Sequence, residues 1–323
     1  MTGRALIIGS AGQDGHYLAY WLARKGYWLG GVDRTDSGHS TPLLDAYWRG
    51  DLRNPSVIVE AIDAGAPTEI YYLAAQNFSS EDENLHVAPV ADVLTVNLTG
   101  AAVTLSTIAA KFPNCRFFYA GSCHVFGRAV IAPQNEQTPH NPSTPYAISK
   151  SAGLHLCKYF RESRGVFAVG GILFNHESPL RRSPFVTARI ARAAALVSLG
   201  RGETIAVHDA QAVVDWGAAS DYVEAMWLAL THSHPDDYVI ATGVPRTIAE
   251  FAHAAFSHVG ARWEDWVVSE NSESKRKVAP YIGDSSRIRR ETGWEPRIPF
   301  HGLVGAMVDA HRTTANLGTQ QDG

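Results

Sequence analysis

With 323 residues, 45% of them hydrophobic and 19% charged, the chain can bury one large core or a core plus a smaller lobe, which excludes disorder as its main theme. A formal charge of −4, with no run of basic residues that stands out, leaves no electrostatic footprint for nucleic acid, so a bound phosphate must be held by local groups. Cys115, Cys123 and Cys157 are an odd set with no CxxC pair, which argues against a disulfide framework or a metal site and fits a reducing cytoplasm. No stretch reads as a signal or membrane segment.

From the N-terminus, short apolar runs alternate with amphipathic stretches, the pattern of β-α units around a parallel sheet. Strands are expected at residues 5–8, 27–32, 69–73, 115–120 and 166–172, and helices at 15–25, 56–64, 93–111 and 149–164. The predicted fold class is α/β: a doubly wound, Rossmann-type parallel sheet over residues 1–174, with segments near 212–243 returning to it. A smaller mixed lobe for substrate is expected over 175–323, where an Ala-rich helix at 186–199 and a charged stretch at 271–277 interrupt loops rich in Pro and Arg. The polar tail from Thr313 is expected to fray.

The first strand ends in Gly9-Ser10-Ala11-Gly12-Gln13-Asp14-Gly15, which opens the first helix. In that context the glycines Gly9, Gly12 and Gly15 serve a tight turn, a close approach to pyrophosphate and close packing of helix on strand. Gln13 and Asp14 lie in the same loop. Asp33, at the end of the second strand, can accept from an adenosine ribose, which favours NAD. Arg34 beside it can pair with a ribose 2′-phosphate, which favours NADP. Asp51, Leu52, Leu73, Ala74 and Ala75 stand at strand ends where they can wall the cofactor.

Tyr146 and Lys150 are four apart at a predicted helix start, so they share one face, and a cation there is expected to lower the phenol pKa. A tyrosinate can take a proton from a sugar hydroxyl while hydride leaves the same carbon. Ser122, Cys123 and His124 follow the 115–120 strand at the carboxyl edge of the sheet and complete the candidate catalytic set. Ser122 also suits a backbone cap, Cys123 a small buried hydrophobe, and His124 a local carbonyl.

These residues carry a resemblance that spans nearly the whole chain. The blocks Gly9 to Gly15, Leu73-Ala74-Ala75-Gln76, Ser143-Thr144-Pro145-Tyr146-Ala147 and Phe174-Asn175-His176-Glu177-Ser178-Pro179 resemble the GDP-mannose 4,6-dehydratases of the extended short-chain dehydrogenase/reductase family. Phe185-Val186-Thr187, Asp215-Trp216-Gly217 and Val239-Ile240-Ala241-Thr242-Gly243 belong to the same set. The resemblance implies oxidation of a nucleotide sugar at C4, elimination of water across C5 and C6, and return of the hydride to C6. It makes Tyr146 the C4 base, has Lys150 orient it and the nicotinamide ribose, and gives Ser122 the C4 oxygen. Gln76, Asn175, Val186 and Arg189 are assigned to the substrate, Asn175 at the diphosphate, with Arg181, Arg182, Lys275, Arg276 and Lys277 as further phosphate contacts.

The chain departs from the family in two places. Gly121-Ser122-Cys123-His124 replaces a Ser-Thr-Ser-Glu segment, so an imidazole stands where a glutamate works on C5 and C6. Val214 replaces a basic residue, and an Arg-Pro-x-Glu-Val stretch is degraded around 274–278. Imidazole chemistry permits elimination, C5 epimerisation, or C4 oxidation or reduction alone, and a non-catalytic cofactor-binding homologue is the remaining alternative. Pairing of the 93–110 or 149–160 helix across a two-fold axis predicts a homodimer or homotetramer.

Overall fold

The computed structural model describes residues 3–35, 41–76, 89–127, 131–270 and 279–321. Its strands are β1 (Arg4–Ile8), β2 (Trp28–Asp33), β3 (Ala46–Arg49), β4 (Glu69–Tyr72), β5 (Arg116–Ala120), β6 (Ala168–Leu173), β7 (Asn175–Glu177), β8 (Ile205–Val207), β9 (Val213–Ala218), β10 (Asp237–Ile240), β11 (Pro245–Thr247) and β12 (Val267–Ser269). Its helices are α1 (Gln13–Ala23), α2 (Ser56–Gly65), α3 (Val90–Leu94), α4 (Gly100–Lys111), α5 (Pro145–Arg164), α6 (Val186–Ser198), α7 (Ala219–Thr231), α8 (Ile248–His258), α9 (Ser286–Thr292) and α10 (Phe300–Gln321).

Seven strands form an all-parallel sheet in the order β10-β6-β5-β4-β1-β2-β3. Helices cover both faces, which is why β1, β4, β5 and β6 read as unbroken apolar runs. Adjacent side chains point to opposite faces: Tyr72 and Phe117 pack with α2, α4 and α5, while Tyr71 and Phe118 pack with α1, α7 and Trp294. Successive strands run outward in both directions from β1, so the order reverses between β1 and β4. That switch point opens a crevice beyond the carboxyl ends of the strands.

Helices α3 and α4 run on through a single π-helical stretch, Thr95–Thr99. An 18-residue stretch within the run Val90–Lys111 has a mean hydropathy of 1.6, so the run is apolar enough by length and composition to cross a membrane. Here its Val93, Ala101, Leu105 and Ile108 are buried in the core.

The second core lies among α6, α8, α10 and β9, where Ile190, Ala194, Phe251, Ala255, Val304 and Met307 interlock. The two cores meet at a three-stranded sheet, β11-β9-β7, in which β7 lies parallel to β9. Asp215 of β9, fully buried, locks this junction by accepting from the backbone N–H groups of Thr242, Gly243 and Gly283 at 3.1, 2.8 and 3.1 Å. The chain enters the second lobe at β7 and then returns: β10 pairs with β6, and Ile288 and Trp294 pack against the sheet.

Candidate active site

A cleft of about 1020 Å3 lies over the switch point. Its floor begins with β1, which ends at Gly9 because the chain turns there with φ of +95°, a conformation open to glycine. The turn is tight: a Cβ on Gly9 would stand 2.6 Å from the Ala74 nitrogen, and one on Gly15 2.4 Å from the Gly9 carbonyl oxygen. Gly12 differs, since a Cβ there would meet only the Gly9 oxygen, at 3.4 Å. It faces the open cleft at the N-cap of α1, where no side chain caps the helix, so its first amides and positive potential are left for an anion. These glycines fit a dinucleotide pyrophosphate.

Asp33 is held in place by its neighbours. One carboxylate oxygen accepts from the Ala11 N–H at 3.0 Å and the other from the Arg34 N–H at 2.7 Å. Arg34, Asp51, Leu52, Leu73, Ala74, Ala75 and Gln76 complete this half of the wall. The Asp51 carboxylate is engaged by Arg53, at 2.7 and 3.0 Å.

The catalytic side brings Ser122, His124, Tyr146 and Lys150 into the same cleft. Thr144 caps α5 by accepting from the Ala147 N–H at 3.2 Å, and Pro145 occupies the first turn, so the helix starts where Tyr146 meets the strand ends. Ser122 caps the short turn Cys123–Phe126, accepting from the His124 N–H at 3.3 Å, and its hydroxyl favours the ionised form of the Tyr146 phenol. Lys150 is buried and donates to the Ala120 carbonyl at 2.7 Å, with its Nζ 5.8 Å from the centre of the Tyr146 ring.

The electrostatics correct one expectation. Lys150 does not lower the Tyr146 phenol in this geometry: burial pushes the phenol up to about 12, against the lowering influence of the Ser122 hydroxyl. Burial also pushes Lys150 down to about 7, against the attraction of Asp14. The ammonium spends its contact on a carbonyl, and both groups lose hydration.

His124 opens to the solvent of the cleft yet is walled by protein on its other sides, and this burial holds its pKa below the usual value. Among the described residues nothing hydrogen-bonds its ring, so the expected local carbonyl is absent. Two tyrosine rings hold it instead. Tyr146 stands edge-on with ring centres 6.0 Å apart, and Tyr281 is tilted at 5.3 Å.

Three expectations are corrected by position. Cys123 packs in the core behind the cleft, and burial pushes its thiol up to about 12; in a turn of this pitch, Ser122 and His124 face the cleft while the residue between them faces inward. Val186 and Arg189 lie outside the cleft wall, Arg189 donating to the Ala206 carbonyl at 2.7 Å. Asn175 does line the cleft, as do Arg181 and Arg182. Arg181 is paired with Glu177 at 3.0 Å. Lys275, Arg276 and Lys277 lie outside the described residues.

Two participants are absent from the sequence expectations. Asn97, fully buried in the π-helical stretch, bonds the backbone of Gln76 through both its amide atoms and donates to the Ser149 hydroxyl at 3.0 Å, tying the cofactor wall to α5. A lone Asn in an apolar helical run was its one signal. His176 is the other. Its Nε2 lies 3.0 Å from both carboxylate oxygens of Asp14 and its Nδ1 2.8 Å from the Phe174 carbonyl. All these partners only accept, so both ring nitrogens donate and His176 is an imidazolium against a carboxylate. Burial opposes both charges, but the Asp14 carboxylate outweighs it and raises His176, and the His176 charge lowers Asp14 in turn. Gln13 adds a bond to the His176 carbonyl at 3.1 Å and accepts from Ser178 at 2.8 Å, so the glycine loop is fastened to β7 and the residues after it.

Comparisons with known proteins agree with this construction. The family profile described as GDP-mannose 4,6 dehydratase matches residues 6–307. GDP-mannose 4,6 dehydratase 1 of Arabidopsis thaliana is 37% identical, covering 94% of this chain and 88% of its own length. Among solved structures, RMD from Pseudomonas aeruginosa complexed with NADPH superposes with a TM-score of 0.82 at 23% identity, covering 97% of this chain and all of its own. The dTDP-glucose 4,6-dehydratase of Bacillus anthracis in complex with NAD also gives 0.82, at 17% identity over 97% and 98% of the two chains. The chain belongs to the GDP-mannose 4,6-dehydratase family of NAD(P)-dependent nucleotide-sugar lyases.

Proposed function

We propose that the chain oxidises a nucleotide sugar at C4 and removes water across C5 and C6, with His124 serving both proton transfers. The observation that carries this reading is a cleft-facing imidazole beside Tyr146, with no hydrogen-bonding partner among the described residues and a depressed pKa. At neutral pH it is a neutral base. A nicotinamide cofactor, which the Gly9–Gly15 loop and Asp33 would hold, would supply the acceptor for the C4 hydride and the donor to C6. Because burial keeps the Tyr146 phenol protonated, it takes the C4 hydroxyl proton as it hands its own to Lys150, which burial brings down to about 7 and which lies one helical turn away. Oxidation at C4 acidifies C5. The imidazole takes the C5 proton, becomes an imidazolium, and gives the proton to the departing C6 hydroxyl, which resets the imidazole; hydride return to C6 is then matched by one proton to C5, balancing the one released from the C4 hydroxyl.

Asp33 supports NAD as the preferred cofactor. Its carboxylate is pinned beside the glycine turn, where it suits a ribose hydroxyl and repels a 2′-phosphate. Tighter binding of NADP than of NAD would refute this. GDP-mannose is the first substrate to try, with other nucleotide sugars beside it. The expected product has lost one water, with no net change in nicotinamide absorbance, and His124→Ala should abolish it. A product of unchanged mass would replace elimination by epimerisation, and stoichiometric reduction of the cofactor would replace it by simple C4 oxidation.

The reading extends to assembly and setting. Ile148, His155 and Tyr159 are exposed on one face of α5, next to exposed Val90 of α3, a surface suited to a two-fold helix pair in a homodimer or homotetramer. Light scattering tests it, with a dimer expected and a monomer refuting it. Cys115, Cys123 and Cys157 are free, buried thiols, in keeping with a cytoplasmic location.

A further inference from the structure

His124 has two anchors, and only one belongs to the redox machinery. Its backbone is set by the turn Cys123–Phe126, which Ser122 caps at one end and Gly127, with φ of +54°, closes at the other. Its ring is set by contact with Tyr146 from α5 and with Tyr281, which comes from the far C-terminal part of the chain. Tyr281 is itself fixed at three points. Its backbone forms a parallel bridge with Val214, its ring packs half-buried against the core of the sheet, and its Oη donates to the Gly127 carbonyl at 2.8 Å. The residue that closes the turn carrying His124 therefore also holds the ring that faces His124.

We infer that Tyr281 is a positioning residue for His124, holding the imidazole toward the cleft and stabilising the imidazolium it becomes when it takes a proton. The inference rests on the reading of His124 as the acid–base group. An imidazolium whose centre lies 5.3 Å from a phenol ring is within the range in which a cation is attracted to the ring's π face. Among the described residues, the titratable groups that face His124 are Tyr146 of α5 and Tyr281, and burial is the cause of its lowered pKa. Where a carboxylate partner normally orients a catalytic imidazole and steadies its charge, a phenol ring does both here. The arrangement gives a modest gain in basicity and leaves both ring nitrogens to the substrate.

The test is an NMR titration of carbon-labelled histidines in the full-length protein without substrate, the His124 signal being assigned with His124→Asn. In Tyr281→Leu the His124 midpoint is expected to fall by about half a unit to one unit, the scale of a ring–cation contact. Tyr281→Phe keeps the ring and should keep most of the midpoint, while the His124 side chain gains mobility as the bond to Gly127 is lost. Turnover should fall in Tyr281→Leu through kcat, with its acid limb moving with the midpoint and KM little changed. An unchanged midpoint in folded Tyr281→Leu overturns the inference. Should that variant fail to fold, an unchanged His124 mobility in Tyr281→Phe overturns it. Because the titration needs no substrate, a shifted midpoint without turnover on nucleotide sugars would uphold the role of Tyr281 and sink the proposed reaction, and turnover with an unshifted midpoint would do the reverse.

Discussion

Gly12 and Gly15 stand three residues apart in one loop, yet alanine at each should do different damage. A Cβ on Gly15 would lie 2.4 Å from the Gly9 oxygen and 2.7 Å from two backbone atoms of Ser10, none of which can swing aside. The turn must open, at the upper end of the roughly 1–3 kcal/mol typical of overpacking. At about 2 °C per kcal/mol for a chain of this size, Gly15→Ala should melt about 5 °C lower and bind dinucleotide poorly. Gly12 has φ of −76° and ψ of 171°, which alanine adopts without strain, and its Cβ would meet one atom at 3.4 Å. Gly12→Ala should therefore melt as high as the parent or slightly higher, since alanine restricts the unfolded chain by about 0.4–1 kcal/mol. Its methyl would nonetheless sit where the pyrophosphate must approach the α1 amides. A Kd for NAD or NADP at least about tenfold weaker is expected, or about 1.4 kcal/mol. Calorimetric titration with each dinucleotide, beside thermal melts, separates the two effects. Unchanged affinity in Gly12→Ala would show that the pyrophosphate does not lie over this turn, and an unchanged melt in Gly15→Ala would refute the packing argument.

Tyr146→Phe should bind cofactor normally and lose turnover by about 10²–10⁴-fold, the usual weight of a positioned proton acceptor; retained turnover would remove it from the mechanism. Lys150→Met should lose activity but gain stability. A lysine depressed from 10.5 to about 7 by burial destabilises the fold fully below pH 7, and this penalty fades as pH rises toward 10.5. Urea titration at pH 7 should show the variant more stable by about 2 kcal/mol, with the advantage shrinking at pH 10. For the His176–Asp14 pair the signs run the other way. Raised His176 contributes stability below its unfolded value of 6.5 and loses it at higher pH; lowered Asp14 contributes above 3.8 and loses it in acid. The parent should thus hold its largest advantage over His176→Asn between pH 4 and 6.5, and a difference independent of pH would show that the pair is not ionic.

The sheet was legible in the sequence because its inner strands are covered on both faces and so become apolar runs between glycines. Edge strand β3, with Tyr47 and Trp48 only partly buried, sent no such signal, and the pairing of β10 with β6 is a long-range event that periodicity does not encode. In the cleft, spacing alone placed Tyr146 and Lys150 on one helix face. It could not say that Lys150 would bond Ala120 and that burial would disfavour its charge, because solvation depends on what arrives from elsewhere in the chain. The same limit hid Asn97, His176 and Tyr281, whose roles come from partners 21 to 162 residues distant, and it made Cys123 look like a neighbour of the chemistry. Facing direction within a short turn is a matter of backbone pitch, which consecutive letters do not show.

The returning path of the chain has a consequence for how the protein can be divided. A fragment ending near residue 174 would lack strand β10, leaving β6 as a bare edge, and would uncover the face on which α7 and Trp294 rest. Such a piece invites edge-to-edge pairing and should not stand alone as a cofactor-binding module. The second lobe is assembled from three separate stretches, around α6 and β9, around α8, and along α10, between which the chain goes back to the sheet through α7 and β10 and again through α9 and Trp294, so a change of specificity by exchanging it requires cuts at every one of these crossings.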